Sequence, residues 1–450
     1  MNVFVINGSP KGKWSITLQT VEFLRLSHPE DSFTIHHAGQ RIHALEKDLA
    51  PVLEGLQAAD LIVFAYPVYT FFAPSQLHRL IELIKASGID LAGKYATQIT
   101  TSKHFYDVTA HGYIEDNCHD LGLRYLRGLS ADMEDLLSEQ GRREAESFWT
   151  RICRSMKQGY CEPCRTVPVA ADHRPVTVPS PVQKRPGDVV IITDSGAEDA
   201  NLAGMIARFQ AVLPVESRVV DLREYPFKSG CLGCFGCASD GKCVIKDGFD
   251  DFLRNSLQSA QAIIYAFSIR DHSMGARFKL YDDRQFCNGH RTVTEGMPMG
   301  YLISGAYRTE TNLRMALEGR IQVGGNVLAG FATDESDPDG EVDRLADELS
   351  YVLEHDCRQP RNFYGVGGMR IFRDLIYQMQ GMMRADHKFF KSHGQYDFPQ
   401  KKKGTILKMY LVGMLMSSPT LRSKMGNKMN EGMLAPYQKI LDGIGKPAKK

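Results

Sequence analysis

Three cysteines fall within one seven-residue stretch, Cys231-Leu232-Gly233-Cys234-Phe235-Gly236-Cys237, and Cys243 stands six positions further on. Thiolates are ligands for soft metal centres, and the spacing C-x2-C-x2-C-x5-C crowds three of them into one turn. Gly233, Gly236 and Gly241 permit the tight backbone that this needs. A cuboidal 4Fe–4S cluster accepts such crowding, because its irons occupy separate corners. Structural zinc more usually draws its ligands as two separated pairs, which fits less well. A third reading keeps the thiols reduced, packing turns. Cys161-Glu162-Pro163-Cys164, close to Cys153, is a lone C-x2-C and a weaker signal for metal or dithiol chemistry. Cys118, Cys287 and Cys357 have no partner in sequence and read as small buried apolar groups.

The other stretch with chemistry in it opens the chain. Four apolar residues, Val3-Phe4-Val5-Ile6, lead into Asn7-Gly8-Ser9-Pro10-Lys11-Gly12-Lys13-Trp14-Ser15-Ile16-Thr17, and helical apolar spacing begins at Leu18. A strand feeding a polar loop that opens a helix can hold a phosphate, since loop and first-turn N–H groups point at the anion. Ser9, Ser15 and Thr17 add hydroxyl donors, and Lys11 or Lys13 adds charge. Neither a P-loop nor a Gly-x-Gly-x-x-Gly fingerprint is present in this loop. A hydroxyl-lined loop suits a terminal phosphate monoester, as on FMN; the bland alternative is an ordinary strand–turn–helix unit.

These residues need elements to position them. Strands are expected over 3–6, 32–36, 61–66 and 95–101, with helices from 18, over 46–57 and 75–85, and a closing helix over 134–157. Alternating strands and helices predict an α/β fold, a doubly wound parallel sheet that binds ligands beyond the carboxyl ends of its strands. The loops over 9–17, 67–74 and 100–107 then converge on one crevice. Pro67 and Pro74 stiffen the middle loop, and Val68, Tyr69 and Phe71 offer flat apolar surface for a tricyclic ring. The candidate cofactor contacts are Ser9, Lys11, Ser15, Ile16, Thr17, Pro67, Val68, Tyr69, Thr70, Phe71, Thr101 and Ser102.

Residues 1–157 are thus a first domain, and a Pro-rich linker spans 158–187, with prolines at 163, 168, 175, 179, 181 and 186. The pattern then recurs over 188–358. Val189-Val190-Ile191-Ile192 repeats the first strand and Ala262-Ile263-Ile264-Tyr265-Ala266-Phe267 the third, with about fifteen residues gained between them (by this alignment); that interval holds the cysteine run. Glu198 and Asp199 stand opposite Gly12 and Lys13. Each carboxylate would repel a phosphate by about 1 kcal/mol. Ser268-Ile269-Arg270 answers Pro67-Val68-Tyr69 without its stiff aromatic turn. The first copy is equipped for a flavin and the second is not.

Residues 359–450 leave the sheet pattern for a basic, Met-rich helical extension. Residues 363–368 read as a flexible junction and 371–384 as helical. The last fifty residues carry +9 and the first four hundred −8, although the whole chain is only +1. That near-neutral total argues against nucleic acid as the main partner. The tail reads as a solvated or subunit-packing appendage, ahead of contact with a membrane surface. No signal peptide or membrane-length apolar run is visible, so a cytoplasmic protein is expected.

Taken together, the chain resembles the flavodoxin-like NADPH-dependent FMN reductases, and in particular their iron–sulfur flavoprotein branch. The resemblance rests on Gly8-Ser9-Pro10-Lys11…Ser15-Ile16-Thr17, on Ala65-Tyr66-Pro67-Val68-Tyr69…Pro74-Ser75-Gln76-Leu77, and on Cys231…Cys243 followed by Asp250-Asp251. It covers residues 1–157 and 188–355. It implies FMN binding, oligomeric assembly, and a cluster from one subunit near the flavin of another. This chain divides the two motifs between tandem copies, which points to an internal pseudo-dimer, and Ile16 stands where the family usually has Asn.

The expected activity is an FMN-dependent oxidoreductase working between a donor such as NAD(P)H or ferredoxin and an acceptor. A 4Fe–4S cluster on Cys231, Cys234, Cys237 and Cys243 would relay electrons, and the redox partner is a protein or a small molecule. The alternatives are an NAD(P)H:quinone or FMN reductase without a cluster, and an electron carrier serving a partner reductase. A homo-oligomer is expected, and no catalytic acid or base is nominated, because the flavin carries the chemistry.

Overall fold

Two parallel sheets of the same strand order, each flanked by helices, organise the chain. The computed structural model describes residues 1–69, 71–164, 173–417, 431, 433–438, 440–442 and 444. The first sheet uses β1 (Asn2–Asn7), β2 (Ser32–His36), β3 (Leu61–Pro67), β4 (Tyr95–Ser102), β5 (Arg124–Tyr125) and β6 (Leu129–Asp132). Its order is β2-β1-β3-β4-β5, and β6 also pairs β4. β5 lies beside Tyr95 and Ala96, and β6 beside the stretch from Ile99 to Ser102, so the fifth position is one strand broken in two.

The second sheet uses β7 (Arg185–Thr193), β8 (Val215–Asp221), β9 (Ala262–Ser268), β10 (Pro298–Ser304) and β11 (Val327–Thr333). Its order, β8-β7-β9-β10-β11, is that of the first sheet, and every pairing is parallel. β3 and β9 are buried along nearly their whole length, because helices cover both faces. Each sheet has its own core. Val3, Val5, Leu61, Val63 and Trp149 belong to the first, and Val189, Ile191, Ile264, Leu302 and Leu349 to the second. The fold is α/β, two flavodoxin-like sheets with a helical C-terminal region.

The copies face each other through equivalent helices. Helix Ser75–Ala86 follows β3 and packs on helix Gly275–Arg284, which follows β9. Helix Asp107–Asp120 follows β4 and packs on helix Thr311–Gly324, which follows β10. The relation is an approximate two-fold within one chain.

Several expectations are corrected. The helix read over 46–57 is two, Ala38–Leu45 and Ala50–Ala58. Pro51 sits in the first turn of the second, where its missing N–H costs nothing, but it cannot prolong a helix from upstream. Helix Asp107–Asp120, not among the expected helices, follows the loop after β4. The closing helix is Glu139–Gln158, capped by Ser138, whose hydroxyl accepts from Gly141 N–H.

The linker prolines fall partly on 165–172, outside the described residues. From 173 the chain lies extended along the second copy, held where Arg174 N–H donates to Asp334 C=O at 2.9 Å and Val182 N–H to Ala211 C=O at 2.9 Å. The 363–368 junction is not a hinge but the start of helix Phe363–Gln378, capped by Asn362, whose side-chain oxygen accepts from Tyr364 and Gly365 N–H. Its glycines serve close approach. A Cβ on Gly365 would lie 2.5 Å from the carbonyl oxygen of Gln322, and one on Gly368 would meet Val323 and Phe105.

The chain divides into two compact units, 1–389 and 390–450. In the second unit, helix Lys403–Met416 exposes Leu407, Met409, Tyr410 and Met414. Among the described residues, no helix is long and apolar enough to cross a membrane.

Candidate functional site

Asn7, the last residue of β1, shapes the loop that follows it. Buried completely, its side-chain amide donates to Gly12 C=O at 2.9 Å, while its oxygen accepts from Ser9 N–H at 3.1 Å. The loop makes a single 3-10 turn, Gly12–Trp14, before helix Ile16–Ser27 begins. Ser15 occupies the N-cap position with extended backbone, yet its side chain caps no amide, so the first-turn N–H groups stay open to a ligand. Ser9, Ser15 and Thr17 are buried, and Thr17 Oγ1 lies 2.6 Å from Thr101 Oγ1, tying the first loop to the end of β4.

The loop after β3 is locked. Tyr69 N–H donates to Phe72 C=O at 2.7 Å and Phe72 N–H returns to Tyr69 C=O at 3.0 Å. Phe71 has a left-handed backbone (φ 78°), and Thr109 Oγ1 donates to its carbonyl at 2.5 Å. Such strain persists only where surroundings enforce it, and it clusters at ligand sites.

One cavity of about 350 Å³ joins these loops, within the roughly 300–1,000 Å³ typical of ligand pockets. Ser9, Lys11, Ser15, Ile16, Thr17, Pro67, Val68, Tyr69, Phe71, Thr101 and Ser102 all line it. Thr70 lies outside the described residues. Lys13 does not line it, its ammonium lying 5.0 Å from the Trp14 ring. The donor set fits a phosphate monoester on a flat ring. The cavity lining combines buried hydroxyls and a lysine with a proline, a valine and two aromatics.

The second copy supplies the opposite wall. Cys231, Cys234, Cys237 and Cys243 line the same cavity, as does Cys287. The segment is pressed onto both loops of the first copy. Lys11 Nζ lies 5.5 Å from the Phe235 ring, and Gln76 Nε2 donates to Cys231 C=O at 3.4 Å. Gly233 has φ +60°, and a Cβ there would lie 1.8 Å from the Tyr69 hydroxyl, so only glycine can pass. Below the ring loop, buried Lys279 donates to Tyr69 C=O at 3.2 Å and pairs with Asp282 and Asp283. Asp283 Oδ2 accepts from Ser75 N–H at 2.7 Å, at the start of the facing helix.

The thiols share a wall but not a centre. Among the described residues, no three His, Cys, Asp or Glu side chains come close enough to hold a metal ion. Cys237 Sγ donates to Phe286 C=O at 3.0 Å, Cys231 Sγ accepts from Gly233 N–H at 3.4 Å, and Arg284 Nη2 lies 3.9 Å from Cys243 Sγ. Burial pushes the Cys231 thiol far up, Cys237 up to about 11 and Cys287 up to about 12. These are protonated thiols at neutral pH, and metal binding would have to release those protons. As placed, the four sulfurs do not fit a shared cluster.

The crevice of the second copy closes on itself. Arg270 Nη2 lies 3.1 Å from both Glu198 Oε1 and Asp199 Oδ2, so the residue answering Tyr69 bridges the two carboxylates at the phosphate position. Sequence reasoning missed Asn7, Lys279, Phe105 and Phe372 as site residues. Asn7 carried a signal, being polar at the end of an apolar strand; the others depend on packing between distant segments.

Residues 1–133 match the family model described as a flavodoxin-like fold. No curated protein gives a match. Similar solved structures include a putative quinone reductase from Klebsiella pneumoniae, 16% identical over 39% of this chain and 88% of that one, with a TM-score of 0.28. General stress protein 14 from Treponema denticola, in complex with FMN, is 13% identical over 34% and 98%, with a TM-score of 0.29. NAD(P)H:quinone oxidoreductase from Methanothermobacter marburgensis is 14% identical over 37% and 99%, with a TM-score of 0.27.

Proposed function

We propose that this chain, whose first 133 residues carry the flavodoxin-like fold, is an FMN-dependent oxidoreductase whose single flavin site is built by both copies. The observation that carries this reading is one cavity lined by the hydroxyl loop, the locked aromatic turn and the facing wall of the second copy.

Ser9, Lys11, Ser15 and Thr17 would hold the phosphate, and Pro67, Val68, Tyr69 and Phe71 the ring. When bound, FMN supplies the hydride and single-electron exchange. The protein binds, orients and shields: helix Ile16–Ser27 offers open amides and its positive end to the phosphate. Tyr69 and Phe71 fix the ring plane, and the apolar lining excludes water. The donor is NAD(P)H or a reduced carrier such as ferredoxin, and the acceptor a small flat molecule such as a quinone.

The cysteine set is a separate matter. What supports a cluster is that all four thiols reach the cavity that would hold the flavin; among the described residues their placement does not assemble one. Iron and sulfide analysis of anaerobically prepared protein decides. The carrier reading predicts almost no NAD(P)H oxidation without a partner protein. The deciding experiment is titration of purified protein with FMN. Uptake of one FMN per chain with NAD(P)H-dependent acceptor reduction is expected, and failure to take up FMN overturns the proposal.

A further inference from the structure

The cavity has a roof that belongs to neither copy. Ile371, Phe372 and Leu375, all on helix Phe363–Gln378, line it. The Phe372 ring stacks on Phe105, with centroids 4.3 Å apart and planes 20° apart. Phe105 in turn meets Phe71 edge-on at 5.1 Å, and Phe71 is the strained residue of the ring loop. On its other side Phe372 meets His290 at 4.6 Å.

This roof is fastened at both ends. At its start the Tyr106 hydroxyl donates to Tyr364 C=O, and Gly365 and Gly368 let the helix lie directly on helix Thr311–Gly324. Beyond its end, fully buried Asp386 accepts from His290 N–H at 3.1 Å and lies 2.9 Å from His290 Nδ1 and 3.3 Å from Arg291 Nε. A side chain held this way has a fixed place in the cavity wall.

We propose that Phe372 is a specificity-determining residue, its ring limiting the size of the flat acceptor that the cavity admits. The inference rests on the flavin reading above. Phe372 stands on a helix separate from the phosphate loop and the Tyr69–Phe72 turn, so shortening it enlarges the cavity while the segments expected to hold the flavin stay in place.

The test compares wild type with Phe372→Ala, Phe372→Leu and Phe372→Trp as FMN-loaded full-length protein. Dissociation constants for two redox-inert probes, naphthalene-2-sulfonate and pyrene-1-sulfonate, are measured by calorimetry. Values of kcat/KM are measured for a one-ring benzoquinone and a three-ring anthraquinone sulfonate. Phe372→Ala is expected to improve pyrene binding relative to naphthalene at least tenfold and to raise the three-ring over one-ring kcat/KM ratio similarly, mainly through KM. Leu should be intermediate and Trp opposite. Wild type without flavin would sink the flavin reading and this inference with it. Flavin-loaded variants with unchanged probe and kcat/KM ratios would overturn this inference alone. So would loss of flavin from both the Ala and Leu variants, which would make Phe372 mere packing.

Discussion

Lys279 of the second copy reaches beneath the ring loop of the first and donates to the carbonyl oxygen of Tyr69 at 3.2 Å. A buried cation is tolerated there because Asp282 and Asp283 pair with it, and Asp283 also accepts from Ser75 at the head of the facing helix. One ion network thus holds the two copies together and fixes the turn that would carry a flavin ring.

Replacing Lys279 with Met removes the ammonium that pairs with buried Asp283, while Asp282 keeps its ion pair with Arg320 at 2.7 Å. Lys279→Met should therefore cost about 3–5 kcal/mol of stability and weaken FMN binding as the Tyr69 turn loosens. Urea unfolding and FMN titration check both. A variant as stable as wild type would show that the network is not what joins the copies.

Ser15→Asp separates folding from ligand binding. Aspartate is a good N-cap, so helix Ile16–Ser27 should be retained or slightly stabilised. The added carboxylate faces the expected phosphate, and even about 1.4 kcal/mol of repulsion is tenfold in affinity. FMN affinity should fall at least tenfold with a melting temperature no lower than that of wild type. Unaltered affinity would place the phosphate elsewhere.

His272 makes the contact between copies pH-dependent. Burial pulls its imidazole down, but hydrogen bonds with Asp120 and Glu310 outweigh this and lift it to about 10. Burial likewise works upward on Asp120, yet His272 and Lys85 hold that carboxyl down to about 2. A raised histidine contributes stability that is complete below its ordinary value near 6.5 and is lost as pH rises toward about 10. The depressed aspartate contributes above its ordinary value and is lost as pH falls toward about 2. Unfolding midpoints should decline between pH 7 and 10 in wild type and much less in His272→Gln. Parallel profiles would remove His272 from the contact.

Two glycines of the roof helix should respond oppositely to alanine. A Cβ on Gly367 meets nothing within 4 Å, so Gly367→Ala should stabilise by about 0.5–1 kcal/mol through helix propensity. At Gly365 the Cβ runs into the Gln322 carbonyl, so Gly365→Ala should destabilise despite the same propensity gain. Thermal melts of the pair check the packing of this helix against Gln322.

The buried parallel strands were legible from composition alone. Apolar β-favouring runs such as 61–66 and 262–267 are covered on both faces wherever they lie in a sheet, so their pattern needs no knowledge of neighbours. The hydroxyl loop was legible too, because a strand, a polar turn and a helix that are contiguous in sequence have little choice of geometry. Helix Asp107–Asp120 was not, since the face it buries is partly polar. Asp116 there accepts from Asn312 at 2.8 Å, and Asn117 donates to Asp271 C=O at 3.1 Å. Such a face becomes apolar-like only when its partners arrive.

The residue types able to bind a flavin or a metal were therefore determined by the sequence, as was the unequal equipment of the two copies. Which of them meet was decided by tertiary structure. Gly365 is a hinge in isolation and a close contact beside Gln322, Phe372 lies 267 positions from the Phe105 it stacks on, and the cysteines gather on a wall without closing on a point. Short-range chemistry follows from neighbours along the chain. Convergence follows from packing, which sums contacts between segments that no local pattern encodes.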